Sequence, residues 1–421
     1  MTTNVPAHPY TTPIATQPLS KWYIPALGLA QFGIFIAILS PVIVSMQLKA
    51  QELNPDNPAA LIGTVLPIGA LGALIGNPVF GALSDRTRTR WGRRKPWLLG
   101  GILALLFGLG LVAASTDVMT LTLSWLFCQL ASNAASAALI ASFADNVPVE
   151  QRGRASSTLA LAQNVSILAG VYGAVLLVDN LPVLFIVPGV LGVLLVAVYV
   201  LVTPDHLPEF EPRPFSLKQI LGTFWTNPIK HPDFGLAWWS RFLITFATFM
   251  FTTYRLLYMQ DHIGLNAAAA VGAIALGVLL YTIALMVAAF VSGWLSDRLG
   301  RRKVFVAGST ALTGAGFVIL AFSDTVEMFY VAEIVLGLAF GVYAAVDTAL
   351  VVDVLPNPDK PGKDLGVINI ANSLPQSLAP AAALALLSIG GGTDNYVAML
   401  IGAGAISLVG ALVVIPIKQV R

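Results

Sequence analysis

Twelve apolar runs, each close to the roughly 20 residues needed to cross the hydrocarbon core of a bilayer, constrain this chain more than any other feature. They cover approximately 22–46, 59–83, 97–115, 118–145, 155–178, 182–203, 235–259, 267–295, 304–322, 326–353, 364–389 and 394–417. Of the 421 residues, 57% are hydrophobic and only 10% charged, with a mean hydropathy of +0.80. A soluble domain carries about 25% charged residues, so a membrane protein is implied. In lipid every backbone polar group must be satisfied internally, and the runs lack the alternation of a barrel strand. The expected fold class is therefore all-α: a polytopic membrane protein with twelve transmembrane helices.

Two polar stretches between these runs repeat each other. Gly81-Ala-Leu-Ser-Asp-Arg-Thr-Arg-Thr-Arg-Trp-Gly-Arg-Arg-Lys95 packs six cations into one short turn, and Gly293-Trp-Leu-Ser-Asp-Arg-Leu-Gly-Arg-Arg-Lys303 has the same flanks. Asp145-Asn-Val-Pro148 likewise matches Asp353-Val-Leu-Pro356, and Asn164 matches Asn372, both at a spacing of 208 residues. Parallel repeats of six helices about an axis normal to the membrane are a transporter architecture, so two six-helix pseudo-repeats are expected. The expected domains are a disordered tail (1–21), a first bundle (22–203), a proline-rich linker (204–234), a second bundle (235–417) and a short tail (418–421). The first 20 residues lack the basic start and apolar run of a cleaved signal peptide.

Orientation follows from the cations. With both termini in the cytoplasm, 20 of the 23 lysines and arginines lie on the inner side, leaving Lys49 in an outer loop and Arg241 and Arg255 within a helix. The expected location is the plasma (inner) membrane. Because cations are sorted by side and not gathered on one face, the net charge of +2 does not indicate a nucleic-acid partner. The single cysteine, Cys128, excludes an intrachain disulfide, and His8, His206, His231 and His262 fall outside the apolar runs, so no metal site and no cofactor are expected.

In each repeated stretch an aspartate ends a helix beside a glycine and several arginines. Asp85 is placed to pair with Arg93 or Arg94 and to face the positive end of helix 11, and Asp145 lies at the same level to bind the same arginines. Arginines after a membrane helix can serve topology alone, which is the simpler reading for Arg86, Arg88 and Arg90. Topology requires neither the aspartates nor the glycines, so Gly81, Asp85, Gly92, Arg93, Arg94 and Asp145, with Gly293, Asp297, Gly300, Arg301, Arg302 and Asp353, are read as gating elements that latch the two halves.

The pattern Gly-x-Leu-Ser-Asp-Arg followed by Gly-Arg-Arg-Lys resembles the cytoplasmic loop motif of the major facilitator superfamily, and the resemblance in architecture covers residues 22–417. The first copy is longer, reading Asp85-Arg-Thr-Arg-Thr-Arg-Trp-Gly-Arg-Arg94. In that form it is similar to the sugar:cation symporters of the glycoside-pentoside-hexuronide and sucrose-transporter-like groups. The resemblance implies secondary active transport by alternating access, with helices 1, 4, 7 and 10 around a central site.

Ionisable side chains inside membrane helices are costly, and this chain has few: Arg241 in helix 7, Glu333 and Asp347 in helix 10, and Arg255 toward the outer end of helix 7. Arg241 and Asp347 lie at matching depths, either as a structural ion pair or as a coupling site. Glu333 has no evident partner at its depth, which suits a protonated acid or a local hydrogen bond. Polar candidates for substrate binding are Gln31, Gln129, Asn133, Gln163 and Asn164 in the first half. In the second half they are Asn369, Asn372 and Gln376, with aromatic surfaces from Trp239, Tyr254 and Tyr281. Interhelical hydrogen bonding is the alternative role for each amide. Amides with aromatics suit a neutral polyhydroxyl ligand, so the expectation is proton-coupled uptake of a neutral sugar or glycoside by a monomer, with a proton as the coupling ion. Export of a drug-like or metabolite solute is the competing transport reading. A membrane enzyme or sensor would require a catalytic set or soluble domain that the sequence lacks, and no nucleotide-binding loop motif occurs.

Overall fold

The computed structural model describes residues 20–205, 226–356 and 361–418. The first tail, His8, His206, Arg213, Lys218, Lys360 and Arg421 lie outside the described residues, as do the side chains of Asp297 and Lys363.

Twelve helices are long and apolar enough to cross a membrane. They are α1 (Tyr23–Leu53), α2 (Pro58–Arg86), α3 (Lys95–Ala114), α4 (Val118–Asn146), α5 (Arg152–Leu177), α6 (Leu181–Val202), α7 (Pro232–His262), α8 (Ala267–Leu299), α9 (Arg302–Ala321), α10 (Val326–Asp353), α11 (Pro361–Leu387) and α12 (Tyr396–Val414). Among the described residues there is no strand, only an isolated bridge between Thr89 and Gly92. Two helices outrun their apolar segments. Each contains a π-helical turn: Pro41–Ser45 in α1, which continues beyond it to Leu53, and Tyr258–His262, which ends α7. Lys49 is therefore a helical residue and not a loop residue as expected: it is buried, and its Nζ donates to Glu52 and to the Ala113 carbonyl.

The duplication is visible in the packing. In the first six helices α1 packs on α5 and α6, α4 on α2 and α3, and α3 on α6; the second six repeat every one of these pairings six helices later. The groups meet each other through α2 with α11 and through the symmetry-related α5 with α8. Gly337 and Gly341 let α10 lie directly on α8: a Cβ at either would come within 2.3 Å of the Tyr281 or Leu285 carbonyl oxygen.

The two faces end their helices differently. All six even-numbered helices begin on the face opposite the motif loops, and each is capped by the side chain before it: Asn57, Asp117, Asn180, Asn266, Thr325 and Asn395. On the motif face α1, α3, α5, α7 and α9 begin without such a cap. Arg94 and Arg301 occupy the cap positions of α3 and α9, placing positive charge at the positive end of a helix dipole. In α3 the mismatch is relieved from a distance. Asp205, just past the end of α6, accepts hydrogen bonds from the backbone N–H groups of Arg94 (2.7 Å) and Lys95 (2.8 Å).

Candidate functional site

The motif face of the first half holds a closed ionic cluster. Arg94 leaves the start of α3 and its guanidinium bonds to Asp85 (2.6 Å), Asp145 (2.9 Å) and the Ser84 hydroxyl (2.6 Å), while Arg93 reaches Asp145 at 2.7 Å. Burial disfavours the charge of Arg94, yet Asp145 and Asp85 together hold its pKa above the ordinary value. The longer loop closes as a turn in which Thr89 and Gly92 exchange backbone hydrogen bonds. Gly92 adopts φ +97°, and a Cβ there would fall 2.2 Å from the Asp205 carboxyl carbon. Topology thus explains neither Gly92 nor Asp205; both fix the geometry of Arg93 and Arg94. The second copy is described without the Asp297 side chain. Arg302 pairs with Asp353 and donates to the Ala349 carbonyl, Arg301 is exposed, and Gly300 closes α8 in the left-handed conformation. Gly81 and Gly293 sit in the last turns of α2 and α8.

Two ion pairs lie within the membrane span of the second half. Arg241 in α7 donates to Asp347 in α10 through Nε (2.7 Å) and a terminal nitrogen, with Tyr343 beside both. The second pair corrects the expectation for Glu333. This carboxylate has a partner, Arg255, whose Nε lies 3.4 Å away; the extension of α7 through its π turn places Arg255 deeper than the apolar run indicates. The pairs differ in quality. Glu333 is fully buried and neither of its oxygens has a hydrogen-bond partner, whereas one oxygen of Asp347 is doubly bonded to its arginine.

Arg255 also lines a cavity of about 160 Å³ at the junction of the halves. Its polar lining comes from Asn164 in α5, Thr248 and Thr252 in α7, Tyr281 and Thr282 in α8, and Thr313 in α9; the remaining wall is apolar. The threonines were not singled out by sequence reasoning, and the spacing of Thr248, Thr252 and Arg255 on one face of α7 is the signal that would have found them. Of the expected substrate residues, Asn164 and Tyr281 are here. Tyr254 points elsewhere, its hydroxyl donating to the Pro380 carbonyl of α11 with the Ala59 carbonyl of α2 at 3.4 Å. Trp239 is half exposed and lines a separate pocket with Trp238 and Val367 near the motif face. Asn133, Asn164 and Gln376 each donate to the carbonyl four residues earlier, as an amide serving its own helix does. Gln31 is buried, Gln129 and Gln163 are partly buried, Asn372 is partly buried and Asn369 is exposed; none of these lines the cavity.

Beyond the cavity, on the face opposite the motif loops, the halves are bonded. The Gln47 side-chain oxygen in α1 accepts from the backbone N–H groups of Leu256 (2.9 Å) and Leu257 (3.3 Å) in α7, Gln51 donates to Gln260 at 2.6 Å, and Thr393 donates to Asn57. Toward the motif face Gly81 and Gly366 have open space where a side chain would project, and the polar Asn164, Asn369 and Gln376 are exposed inside helical spans. The halves are thus bonded to each other on the face opposite the motif loops, beyond the central cavity.

A twelve-helix, two-repeat bundle with one closed face and a central polar cavity is the form of a membrane transporter. The Major Facilitator Superfamily profile matches residues 25–281 and 269–420, and the chain belongs to that family. Over 78 residues, 18% of the chain, it is 61% identical to an uncharacterized symporter of Synechocystis sp. (strain ATCC 27184 / PCC 6803 / Kazusa) and spans 14% of that protein. Over 147 residues, 35% of the chain, it is 33% identical to the D-xylose transporter of Levilactobacillus brevis and spans 30% of it. The matched segments thus cover less than a third of these relatives. Among solved structures, the nucleoside transporter NupG superposes with a TM-score of 0.73 at 14% identity, covering 94% of this chain and 99% of that one. A bacterial homolog of the human lysosomal transporter Spinster, inward-facing and occupied, superposes with a TM-score of 0.70 at 13% identity, covering 96% and 98%. At these identities the likeness shows the fold alone.

Proposed function

We propose that this protein is a symporter that takes up a small neutral polyhydroxyl solute, a sugar or glycoside, together with a proton, working as a monomer in the plasma membrane with its motif face and both termini in the cytoplasm. The orientation rests on the 20 cations gathered on one side. The central observation is the Glu333–Arg255 pair: a fully buried carboxylate without a hydrogen bond, beside an arginine that faces the cavity. When Glu333 takes a proton its attraction for Arg255 is lost and the guanidinium is released toward the ligand, which links proton and solute in one site. While the pair is intact it brings no net charge to the cavity; the threonines and Tyr281 supply hydroxyls to a polyol, and the released guanidinium supplies N–H donors to the same hydroxyl-rich ligand. Names of matched relatives, symporters and a D-xylose transporter, support the same reading. Arg241–Asp347, better bonded and away from the cavity, is assigned the structural role, and the motif clusters the role of stabilising the state closed to the cytoplasm.

Vesicles loaded with the purified protein test this, with D-xylose as the first probe in a sugar panel. Sugar entry should alkalinise the outer medium, and Glu333→Gln should still exchange labelled sugar across the membrane while accumulating none against a gradient. Undiminished accumulation by Glu333→Gln removes the coupling role. Extrusion of amphiphilic drugs with no sugar bound would establish export instead.

A further inference from the structure

A second cavity lies outside the transport pathway. It is a groove of about 540 Å³ between α2, α3 and α4 of the first half, with walls from Phe80, Trp97, Gly100, Ala104, Phe127 and Leu130. Along α3 it runs from Trp97 to Ala104, about 10 Å by the rise of a helix, from the motif face into the hydrocarbon depth. Gly101 brings α3 against α4, since a Cβ there would come within 2.7 Å of the Ala135 backbone nitrogen, whereas Gly100 faces open space. The result is a slot walled by aromatic and small residues, with nothing of this chain described inside it.

Its mouth is polar, and two cations flank it in the chain. Thr87 and Pro96 form the rim, and the Trp97 indole N–H donates to the Thr87 hydroxyl at 2.7 Å, with the Phe80 ring 5.7 Å from that of Trp97. Lys95 directly precedes the rim residue Pro96 in the chain, and Arg90 is exposed in the turn that follows the rim residue Thr87. While Arg93 and Arg94 are engaged with Asp145 and Asp85, neither Lys95 nor Arg90 has an ion-pair partner among the described residues. An apolar slot of this depth under unneutralised cations fits a molecule with a hydrocarbon chain and an anionic head.

We infer that this groove is a binding site for an anionic phospholipid, one acyl chain lying between α3 and α4 and the phosphate-bearing head resting on Lys95 and Arg90. A lipid seated here contacts Thr87, Trp97 and the start of α3, the elements that hold the Asp85–Arg94 cluster, so occupancy bears on that cluster as well as on the bilayer contact.

The test uses the full chain in nanodiscs of equal parts phosphatidylglycerol and phosphatidylcholine, extracted into detergent, with the lipids that remain bound quantified by mass spectrometry. The unaltered protein should retain phosphatidylglycerol in preference to phosphatidylcholine. Lys95→Gln should lower that preference about fivefold, the effect of one basic side chain at a membrane surface. Gly100→Leu, at a position where an added Cβ meets no protein atom within 4 Å, projects a side chain into the slot and should abolish retention with the unfolding temperature unchanged. Retention without headgroup preference, or a preference indifferent to Lys95→Gln, overturns the assignment, as does equal phosphatidylglycerol retention by a folded Gly100→Leu.

Discussion

The two halves share a packing diagram and differ in where they keep their charge. In the second half four ionisable side chains sit within the membrane span, paired as Arg241–Asp347 and Arg255–Glu333. The first half concentrates its ionic contacts at the motif face, where Arg93 and Arg94 engage Asp85 and Asp145 and Asp205 caps α3; in the second half Arg302 pairs with Asp353. One repeat thus carries ion pairs within the membrane span, and the other buries two arginines, Arg93 and Arg94, at the motif face against aspartates that are 20% and 53% exposed. Buried charge is costly to strand and can respond to a proton, whereas partly exposed charge is screened and holds geometry.

The largest expected effect lies in the second half. Asp347→Asn strands Arg241 and should cost about 3–5 kcal/mol, while the double replacement Arg241→Gln with Asp347→Asn should recover most of that loss. Thermal unfolding in detergent reads both, and equal destabilisation by the single and double variants would show that the pair is not a desolvated ion pair.

Next come the two motif arginines. Arg94→Gln removes the partner of Asp85, one of the two arginines on Asp145 and the donor to Ser84 in a buried setting, and should cost about 2–3 kcal/mol. Arg302→Gln breaks a pair whose side chains are 28% and 39% exposed, for which about 0–1 kcal/mol is expected. If the two variants unfold together, the contrast between the junctions collapses.

The smallest effect separates the two turn glycines. Gly92 and Gly300 both have positive φ, so an alanine at either should cost about 1 kcal/mol in backbone strain. Only at Gly92 does the new methyl meet a carboxylate, that of Asp205, while Gly300 faces open space. Gly92→Ala should therefore lose about 1 kcal/mol more than Gly300→Ala, the worth of a helix cap, and the excess should vanish in an Asp205→Ala background. An excess that persists there would mean the contact with Asp205 is not its source.

Much of this was legible in the sequence. The helices follow from the apolar runs because lipid leaves the backbone no other option, and the repeat follows from two motif copies. The pairing of Arg241 with Asp347 is accessible by counting residues from a common membrane face. Arg255 with Glu333 was not, because that count runs through the outer end of α7, where a π turn lengthens the helix beyond its apolar run. The Gln47 contact was hidden for a related reason: its partners are backbone N–H groups, which no side-chain pattern reports. The amides Asn133, Asn164 and Gln376 show the opposite limit. Their spacing marks a helix face correctly, but spacing does not reveal that each amide donates to its own backbone.

The hydrogen bonds from Arg94 and Lys95 to Asp205 bear on how such a chain can be divided. Asp205 follows α6, so by position it reads as the first residue of a connector, yet by bonding it belongs to the helix that begins more than a hundred residues earlier. A split gene encoding the repeats as two polypeptides would keep the first fragment self-sufficient only if the cut fell after this residue. Moving the cut by three residues, to the end of α6, would deprive α3 of its only described anionic cap and leave the arginine junction to assemble against an uncompensated helix end. The seam between repeats is therefore set by a hydrogen bond, not by where the last helix stops.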